Sequence, residues 1–206
     1  GNTALIEELV FFERNMAMTL LGLKRIDEAR RLLEESRDAF VKRYVNRDRN
    51  TYRWLHTMLL NNLSSVEQAA GNPEVALELL EQAVNMVKEE DVEMTSVYVR
   101  YFRLTVWNYL AALTEWSMPD EIIQCVDDLV DHLNRLKRVA SEDDYAEMIR
   151  MIEFFKVQAR GRLGEKAFAR ENMTEFLEFM KQTSRRKPED TLDKILEHIE
   201  TSLTEF

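Results

Sequence analysis

The stretch NNLSSVEQAAGNPEVALELLEQA, Asn61–Ala83, contains two apolar stripes separated by Gly71, Asn72 and Pro73. Asparagine favours the position just before a helix, and proline is tolerated at the first helical position because its missing N–H has no partner there. Ala76 and Ala83 lie seven residues apart, which is two turns along one helix face. Small residues on that face let a neighbouring helix approach closely. The stretch therefore predicts two packed helices joined by a tight turn.

The same pattern recurs along the chain. Equivalent anchor positions fall at Ala29, Ala76, Ile122 and about Ala169, in steps of 47, 46 and about 47 residues. A repeat of this length indicates stacked helical hairpins, because one hairpin cannot bury both of its faces alone. We therefore expect an all-α fold and a single domain over 1–206. The predicted hairpins cover about 3–47, 51–90, 93–139 and 142–183, and a capping helix covers 189–205.

Within these hairpins the predicted helix bounds follow the apolar periodicity and the cap signals. They are 3–21, 26–46, 51–70, 73–90, 93–116, 119–139, 142–162 and 165–183. Asn72-Pro73, Met118-Pro119 and Lys187-Pro188 each predict a helix start. Ser141, with Asp144 three residues later, resembles a capping box.

Several of these residues resemble the tetratricopeptide repeat, whose consensus is roughly W-x-N-L-G-x-x-Y…G-x-Y-x-x-A-x-x-x-F-x-x-A. The matching residues of the second copy are Asn62, Leu63, Ser64, Gly71, Ala76, Leu80 and Ala83. The resemblance covers nearly the whole chain and is strongest in the first two copies, although the period exceeds the 34 residues of the common form. It implies a right-handed α-solenoid that binds proteins or peptides, and many such solenoids are sensor domains of larger regulators.

Composition narrows the classes of partner. The 206 residues carry a net charge of −10, which disfavours general nucleic-acid binding. A single cysteine excludes an intrachain disulfide and fits a reducing, cytoplasmic setting, and no apolar run is long enough for a transmembrane helix. Because the chain begins with Gly1 rather than Met, we expect it to be part of a longer protein.

No stretch of the sequence carries a catalytic motif. The histidines His56, His132 and His198 fall in different repeats, and Asp128 with His132 is interpreted as a surface pair. Cys125 lies in an apolar stripe, which favours a buried and inert thiol. We therefore predict no enzyme activity, no catalytic residues, no metal site and no cofactor.

Three asparagines keep the repeat register. Asn15, Asn62 and Asn108 are 47 and 46 residues apart. The resemblance places the first helix of each hairpin on a concave groove, where several family members use such asparagines to hold an extended peptide. An amide offers both a donor and an acceptor to a peptide unit. The alternative, that these amides bond within the repeat, stays open.

The predicted peptide-binding residues are these asparagines and their register neighbours. They comprise Arg14, Asn15, Met18, Asn61, Asn62, Ser65, Trp107, Asn108 and Ala111. In the fourth copy Phe154 and Phe155 take the equivalent place. The preferred function is a peptide- or protein-binding module that serves as the sensor or scaffolding part of a larger regulatory protein.

Two other surfaces remain as alternatives. The stretch VKRYVNRDRNTYRW, 41–54, interleaves basic and aromatic residues, which suits nucleic acid or an acidic partner, although the favoured interpretation is an exposed helix end whose aromatic residues pack inward. The last helix has one apolar face, which predicts either a cap or a homodimer contact. The alternative function is therefore an architectural or oligomerisation domain with no groove ligand.

Overall fold

The computed structural model describes residues 3–44, 49–89, 96–116, 118–136, 141–186 and 190–204, and these residues form nine α-helices and no strand. The helices are α1 (Thr3–Gly22), α2 (Ile26–Tyr44), α3 (Arg49–Ala69), α4 (Pro73–Val87), α5 (Ser96–Glu115), α6 (Pro119–Leu136), α7 (Glu142–Arg162), α8 (Lys166–Arg186) and α9 (Asp190–Leu203). The predicted all-α class is confirmed. None of the helices, over the part of each that the structure describes, is long and apolar enough to cross a bilayer.

The predicted bounds agree with these helices to within three residues. At the start of α7 the Ser141 side chain accepts a hydrogen bond from the Asp144 amide, as a capping residue does. Asn72 is different, because its side chain makes no capping hydrogen bond to α4. Its Nδ2 instead donates to Glu67 Oε2 at 2.8 Å. The predicted asparagine cap is therefore wrong in its chemistry, although Pro73 does begin the helix. The start predicted at Lys187-Pro188 lies outside the described residues.

The chain separates into two compact units, Gly1–Tyr109 and Leu110–Phe206, and α5 contributes residues to both. In the first unit α2 packs against α1 and α3, α1 also packs against α3, and α3 packs against α4. This is the arrangement of two successive hairpins whose first helices, α1 and α3, are neighbours. The single domain over 1–206 stays a prediction.

The core of the first unit confirms the role of the small anchors. Ala29 and Ala83 are fully buried and Ala76 is 6% exposed. The core cluster contains Ala17 of α1, Ala29 of α2 and Ala83 of α4, together with leucines of α3. A larger side chain at a fully buried alanine has no space without moving a neighbouring helix. The seven-residue alanine spacing therefore marks contacts between helices.

The second unit uses larger anchors for the same purpose. Here α7 packs against α6 and α8, and α8 packs against α9. Ile122, Leu129 and Ala169, which align with the alanines of the first unit, are buried. Aromatic rings fill the space between α7, α8 and α9, with Phe154 stacked on Phe176 at a centroid distance of 5.0 Å. Unequal anchor sizes explain why the repeat is harder to see in this half of the sequence.

Gly71 closes the turn between α3 and α4 in the left-handed region, with φ +79°. A Cβ at this position would meet no atom within 4 Å, so only backbone strain opposes a side chain. We expect Gly71→Ala to lower the free energy of unfolding by about 1–2 kcal/mol. Urea unfolding followed by circular dichroism measures this change.

The matched control is Gly22→Ala, because Gly22 ends α1, has no positive φ and also has open space around its Cα. This substitution should leave stability unchanged or raise it by less than about 1 kcal/mol. Equal losses in both variants would contradict the assignment of strain to Gly71.

Candidate functional site

The candidate site is the surface that α1, α3 and the first half of α5 form in the first unit, called here the A-helix face. It carries eight of the nine predicted residues. Ala111, the ninth, is half-buried on the part of α5 that belongs to the second unit. Helix α1 packs against α3, and α3 is hydrogen-bonded to α5, so these three helices form one surface.

A hydrogen-bonded cluster of side chains joins α3 to α5 on this face. Asn61 is 4% exposed, and its Nδ2 donates to the Thr57 carbonyl and to Thr105 Oγ1, both at 2.9 Å. Its Oδ1 accepts a hydrogen bond from Asn108 Nδ2, also at 2.9 Å. The Asn61 amide therefore satisfies much of its hydrogen-bonding capacity inside the protein. Asn108 itself is half-buried, so part of its amide faces the surface.

The three register asparagines do not share one environment. Asn15 is exposed, Asn108 is half-buried, and Asn62 is only 8% exposed. Asn62 Nδ2 donates to the Met58 carbonyl one turn earlier at 2.7 Å, a local bond that polar side chains in helices often make. Asn62 therefore stabilises its own helix, and it offers little to a ligand. The expectation that all three asparagines line the groove alike needs this correction.

The contact between Asn61 and Asn108 has a geometric reason. Residues at equal register positions point in the same direction from neighbouring helices. A hydrogen bond between two neighbouring helices must instead join the flank of one helix to the facing flank of the other. Asn61 lies one residue before the register position and Asn108 lies on it, so their side chains can meet.

Arg14 contributes an unsatisfied donor to the A-helix face. Its side chain is half-buried on α1, and its Nε is buried without a hydrogen-bond partner among the described residues. A buried donor without a partner costs about 1–3 kcal/mol. Arg14 aligns with Asn61 in the repeat, and Met18, one turn later, is partly buried against the core. Because the Nε itself has almost no accessible surface, a ligand oxygen would reach Arg14 through the outer nitrogens of its half-buried guanidinium group.

An aromatic row crosses the same three helices, and the sequence argument did not find it. The Trp54 ring lies 6.0 Å from Phe11 of α1 and 5.1 Å from Tyr101 of α5. Trp54 and Phe11 are partly buried, whereas Tyr101 is 8% exposed. Trp54 and Tyr101 are 47 residues apart, as Asn61 and Asn108 are, which is one residue more than the register step of 46 between α3 and α5, and this shared separation is the signal that could have identified the pair. Trp107, which the sequence placed on the groove, is half-buried.

The remaining sequence candidates are placed as follows. His132 is 1% exposed while Asp128 is exposed, so the predicted surface pair is wrong and His132 belongs to the core. Cys125 is half-buried, rather than fully buried as predicted. Phe154 and Phe155 are buried and do not continue the groove as surface residues. Among the described residues no group of three His, Cys, Asp or Glu side chains could hold a metal ion.

Much of the basic stretch 41–54 lies outside the described side chains. One end of it borders a pocket of about 410 Å³ between α2, α3 and α4. The lining residues are Arg37, Asp38, Val41, Lys42, His56, Leu60 and Gln82. Burial, together with the nearby charge of Arg37, lowers the pKa of His56. His56 is therefore neutral at pH 7, and Arg37 and Lys42 supply the positive charge of this pocket.

Comparison with known proteins agrees with this architecture. Residues 11–89 match the family model of the tetratricopeptide repeat, so the resemblance is confirmed for the part of the chain that contains most of α1 and all of α2–α4. No curated protein matches the sequence. The solved structure of the yeast histone chaperone Hif1, described as a scaffold protein recruiting protein complexes to core histones, is similar in fold. The TM-score is 0.51 at 13% sequence identity, over 100% of this chain and 97% of Hif1.

These findings define the class of protein. The described residues form an all-α fold, residues 11–89 are of the tetratricopeptide repeat type, and such repeats indicate a protein-interaction or scaffold module. The family match over residues 11–89 favours interaction over catalysis.

Proposed function

We propose that this protein binds an extended peptide segment along the A-helix face of its first unit. The observation that carries the proposal is Arg14, whose buried Nε has no hydrogen-bond partner among the described residues. The half-buried Asn108 and the exposed Asn15 lie on the same set of helices and supply amide groups for a peptide backbone. The bound segment would place a carboxylate oxygen, from an acidic side chain or a chain end, on Arg14.

Polar contacts alone are too weak to hold such a segment. A hydrogen bond to a charged group contributes about 1.5–3 kcal/mol, whereas a micromolar complex needs about −8 kcal/mol. The half-buried Met18, Trp54 and Trp107 supply apolar and aromatic surface that would contribute the remainder. The Ser65 hydroxyl donates a hydrogen bond to the Asn61 carbonyl at 3.2 Å, so Ser65 would offer a ligand contact surface rather than a free donor.

The finer role follows from the class of protein. We propose a scaffolding or sensor part of a larger cytoplasmic regulator, in which the bound segment belongs to a partner protein. Recruiting complexes to histones is a property of Hif1, and the likeness to Hif1 extends only to the fold.

The architectural alternative, dimerisation through the last helix, is less well supported. In the described part of α9, Ile199 and Ser202 are buried, whereas Glu197, Glu200 and Thr201 are exposed. This polar outer side suits a cap. A homodimer through α9 therefore stays a prediction that no contact of the described residues favours.

A selection from random dodecapeptides displayed on phage, followed by fluorescence anisotropy with the selected peptide, tests the peptide proposal. We expect Arg14→Met and Asn108→Leu each to raise the dissociation constant of the peptide at least tenfold. A tenfold change corresponds to about 1.4 kcal/mol of binding free energy. Changing the acidic residue of the peptide to its amide should cause a similar loss in the parent protein and little further loss in Arg14→Met.

The matched control is Lys181→Met on α8, which removes one positive charge from the second unit. This variant should bind the selected peptide as the parent protein does. A selection that yields no binder, or selected peptides that bind Arg14→Met and the parent equally, would contradict the proposal.

A further inference from the structure

The pocket of about 410 Å³ between α2, α3 and α4 lies apart from the A-helix face. His56 and Leu60, one turn apart on α3, form its floor, while four residues of α2 line one wall and Gln82 of α4 lines the other. Successive residues of an α-helix are about 100° apart, so Leu60 points to nearly the opposite side of α3 from Asn62. A ligand in this pocket therefore does not compete with a peptide on the A-helix face.

The pocket carries more positive than negative charge. Arg37 and Lys42 supply two positive charges, Asp38 supplies one negative charge, and His56 is neutral at pH 7, which leaves a net charge of +1. The whole chain has a net charge of −10, whereas residues 37–54 contain six basic and two acidic side chains. The pocket thus belongs to a basic region of an acidic protein, and it favours an anionic ligand over a cationic one.

The side chains around the pocket can donate hydrogen bonds to an anion. Lys42 is exposed and makes no ion pair with a described residue, since Asp38, one turn earlier, pairs with Arg37 instead. Asp38 Oδ1 accepts from Arg37 Nε at 3.1 Å and from Arg37 Nη2 at 3.0 Å, which are two of the five N–H donors of the guanidinium group. The neutral imidazole of His56 adds one N–H donor.

The floor of the pocket is apolar. Leu60 is 1% exposed and Val41 is half-buried. The ring of the buried Phe40 lies 6.5 Å from the His56 ring and supports it from the side of the core. A charged rim beside an apolar floor suits an acidic side chain that is followed or preceded by an apolar one.

The aromatic residues of the neighbouring basic stretch do not contribute to this pocket. Among the described side chains that line it, none is a phenylalanine, tyrosine or tryptophan. The Trp54 ring lies instead against Phe11 and Tyr101. Single-stranded nucleic acid is held largely by stacking of its bases on aromatic rings. The pocket therefore favours a protein segment over nucleic acid.

We propose that this pocket binds an acidic side chain from a segment of a partner protein, with its carboxylate between Arg37 and Lys42 and an adjacent apolar side chain on Leu60. Arg37 and Lys42 are five residues apart, about 7.5 Å along α2, and their long side chains can close around one carboxylate. The site is separate from Arg14 and does not depend on the proposed peptide site.

Fluorescence anisotropy with the fluorescein-labelled peptide Glu-Glu-Leu-Glu-Glu tests the proposal on the whole chain. The peptide should bind saturably, and Arg37→Met and Lys42→Met should each raise its dissociation constant about two- to fivefold, the range for exposed ion pairs. Asp38→Asn should lower the dissociation constant, because it removes the carboxylate that competes for Arg37. The amide peptide Gln-Gln-Leu-Gln-Gln should bind more weakly than the acidic one.

The matched control is Arg31→Met, which removes the same charge from an exposed position on α2 outside the pocket. This variant and Arg14→Met should bind the acidic peptide as the parent does. An equal loss in Arg31→Met would overturn the proposal in favour of unspecific attraction to positive charge. A loss in Arg14→Met without a loss in Arg37→Met would place the peptide on the A-helix face and overturn this pocket alone. Unsaturable binding of the peptide, or tighter binding of oligothymidylate, would also overturn it.

Discussion

We expect Leu59→Ala to lower the free energy of unfolding by about 2–5 kcal/mol. Leu59 is fully buried in the core cluster of the first unit, between side chains that α1, α2 and α3 contribute. Its removal loses the transfer free energy of the side chain and leaves a cavity that three packed helices can close only in part. The effect is large because Leu59 occupies the face on which one hairpin stacks on the next.

Urea unfolding followed by circular dichroism gives the change in the free energy of unfolding, from the midpoint and the slope of the unfolding transition. The matched control is Leu163→Ala, the same substitution at a leucine that is 52% exposed, and its effect should stay within about 0.5 kcal/mol. Similar losses at the two positions would show that hairpin stacking does not dominate the stability of the first unit.

The second large effect is expected at Glu67, which connects three parts of the first unit. Arg30 of α2 donates to it through Nε at 2.5 Å and through Nη2 at 3.1 Å, and Asn72 in the following turn donates at 2.8 Å. Glu67 is 6% exposed. Glu67→Gln keeps the size of the side chain but leaves Arg30 with only the exposed Asp27 as a counterion. We expect a loss of about 1.5–3 kcal/mol, the range for hydrogen bonds to charged groups.

The pH dependence gives an independent test of the same cluster. Burial raises the pKa of Glu67, but the hydrogen bonds from Arg30 and Asn72 outweigh it, and the pKa lies below its ordinary value of 4.5. The unfolded chain therefore binds the proton more readily than the folded one. The contribution of Glu67 is present above pH 4.5 and is lost as the pH falls through the folded pKa.

The difference in stability between the parent protein and Glu67→Gln should consequently shrink on acidification below pH 4.5. The matched control is Glu78→Gln, because Glu78 is exposed on α4, and that variant should be about as stable as the parent at pH 7. A difference in the free energy of unfolding between the parent and Glu67→Gln that stays constant from pH 7 to pH 3 would contradict the role assigned to the Glu67 charge.

Much of the candidate site could be predicted, but the partners of its side chains could not. The repeat register selected α1, α3 and α5 and singled out Arg14 and Asn108, and the binding role of these residues stays a prediction. The register treated Asn61 and Asn62 as equivalent groove residues, whereas only Asn61 makes side-chain hydrogen bonds to α5. The favoured interpretation of stretch 41–54 packed its aromatic rings inward, and the Trp54 ring does so, but its partners Phe11 and Tyr101 were not predicted. A register gives the direction of a side chain along its own helix but not the flank of the neighbouring helix that it meets.

The sequence by itself determined the helices, their bounds to within three residues, and the anchors at Ala29, Ala76 and Ala83. These features depend on the helical period, on proline and glycine at the ends, and on apolar spacing, all of which act over a few residues. Only the tertiary structure decided that Asn62 and His132 are buried and that the Arg14 Nε lacks a partner. It alone showed that α1 leaves Phe12 exposed where α3 buries Leu59. Burial depends on which helices pack together, and residues far apart in the sequence decide that packing.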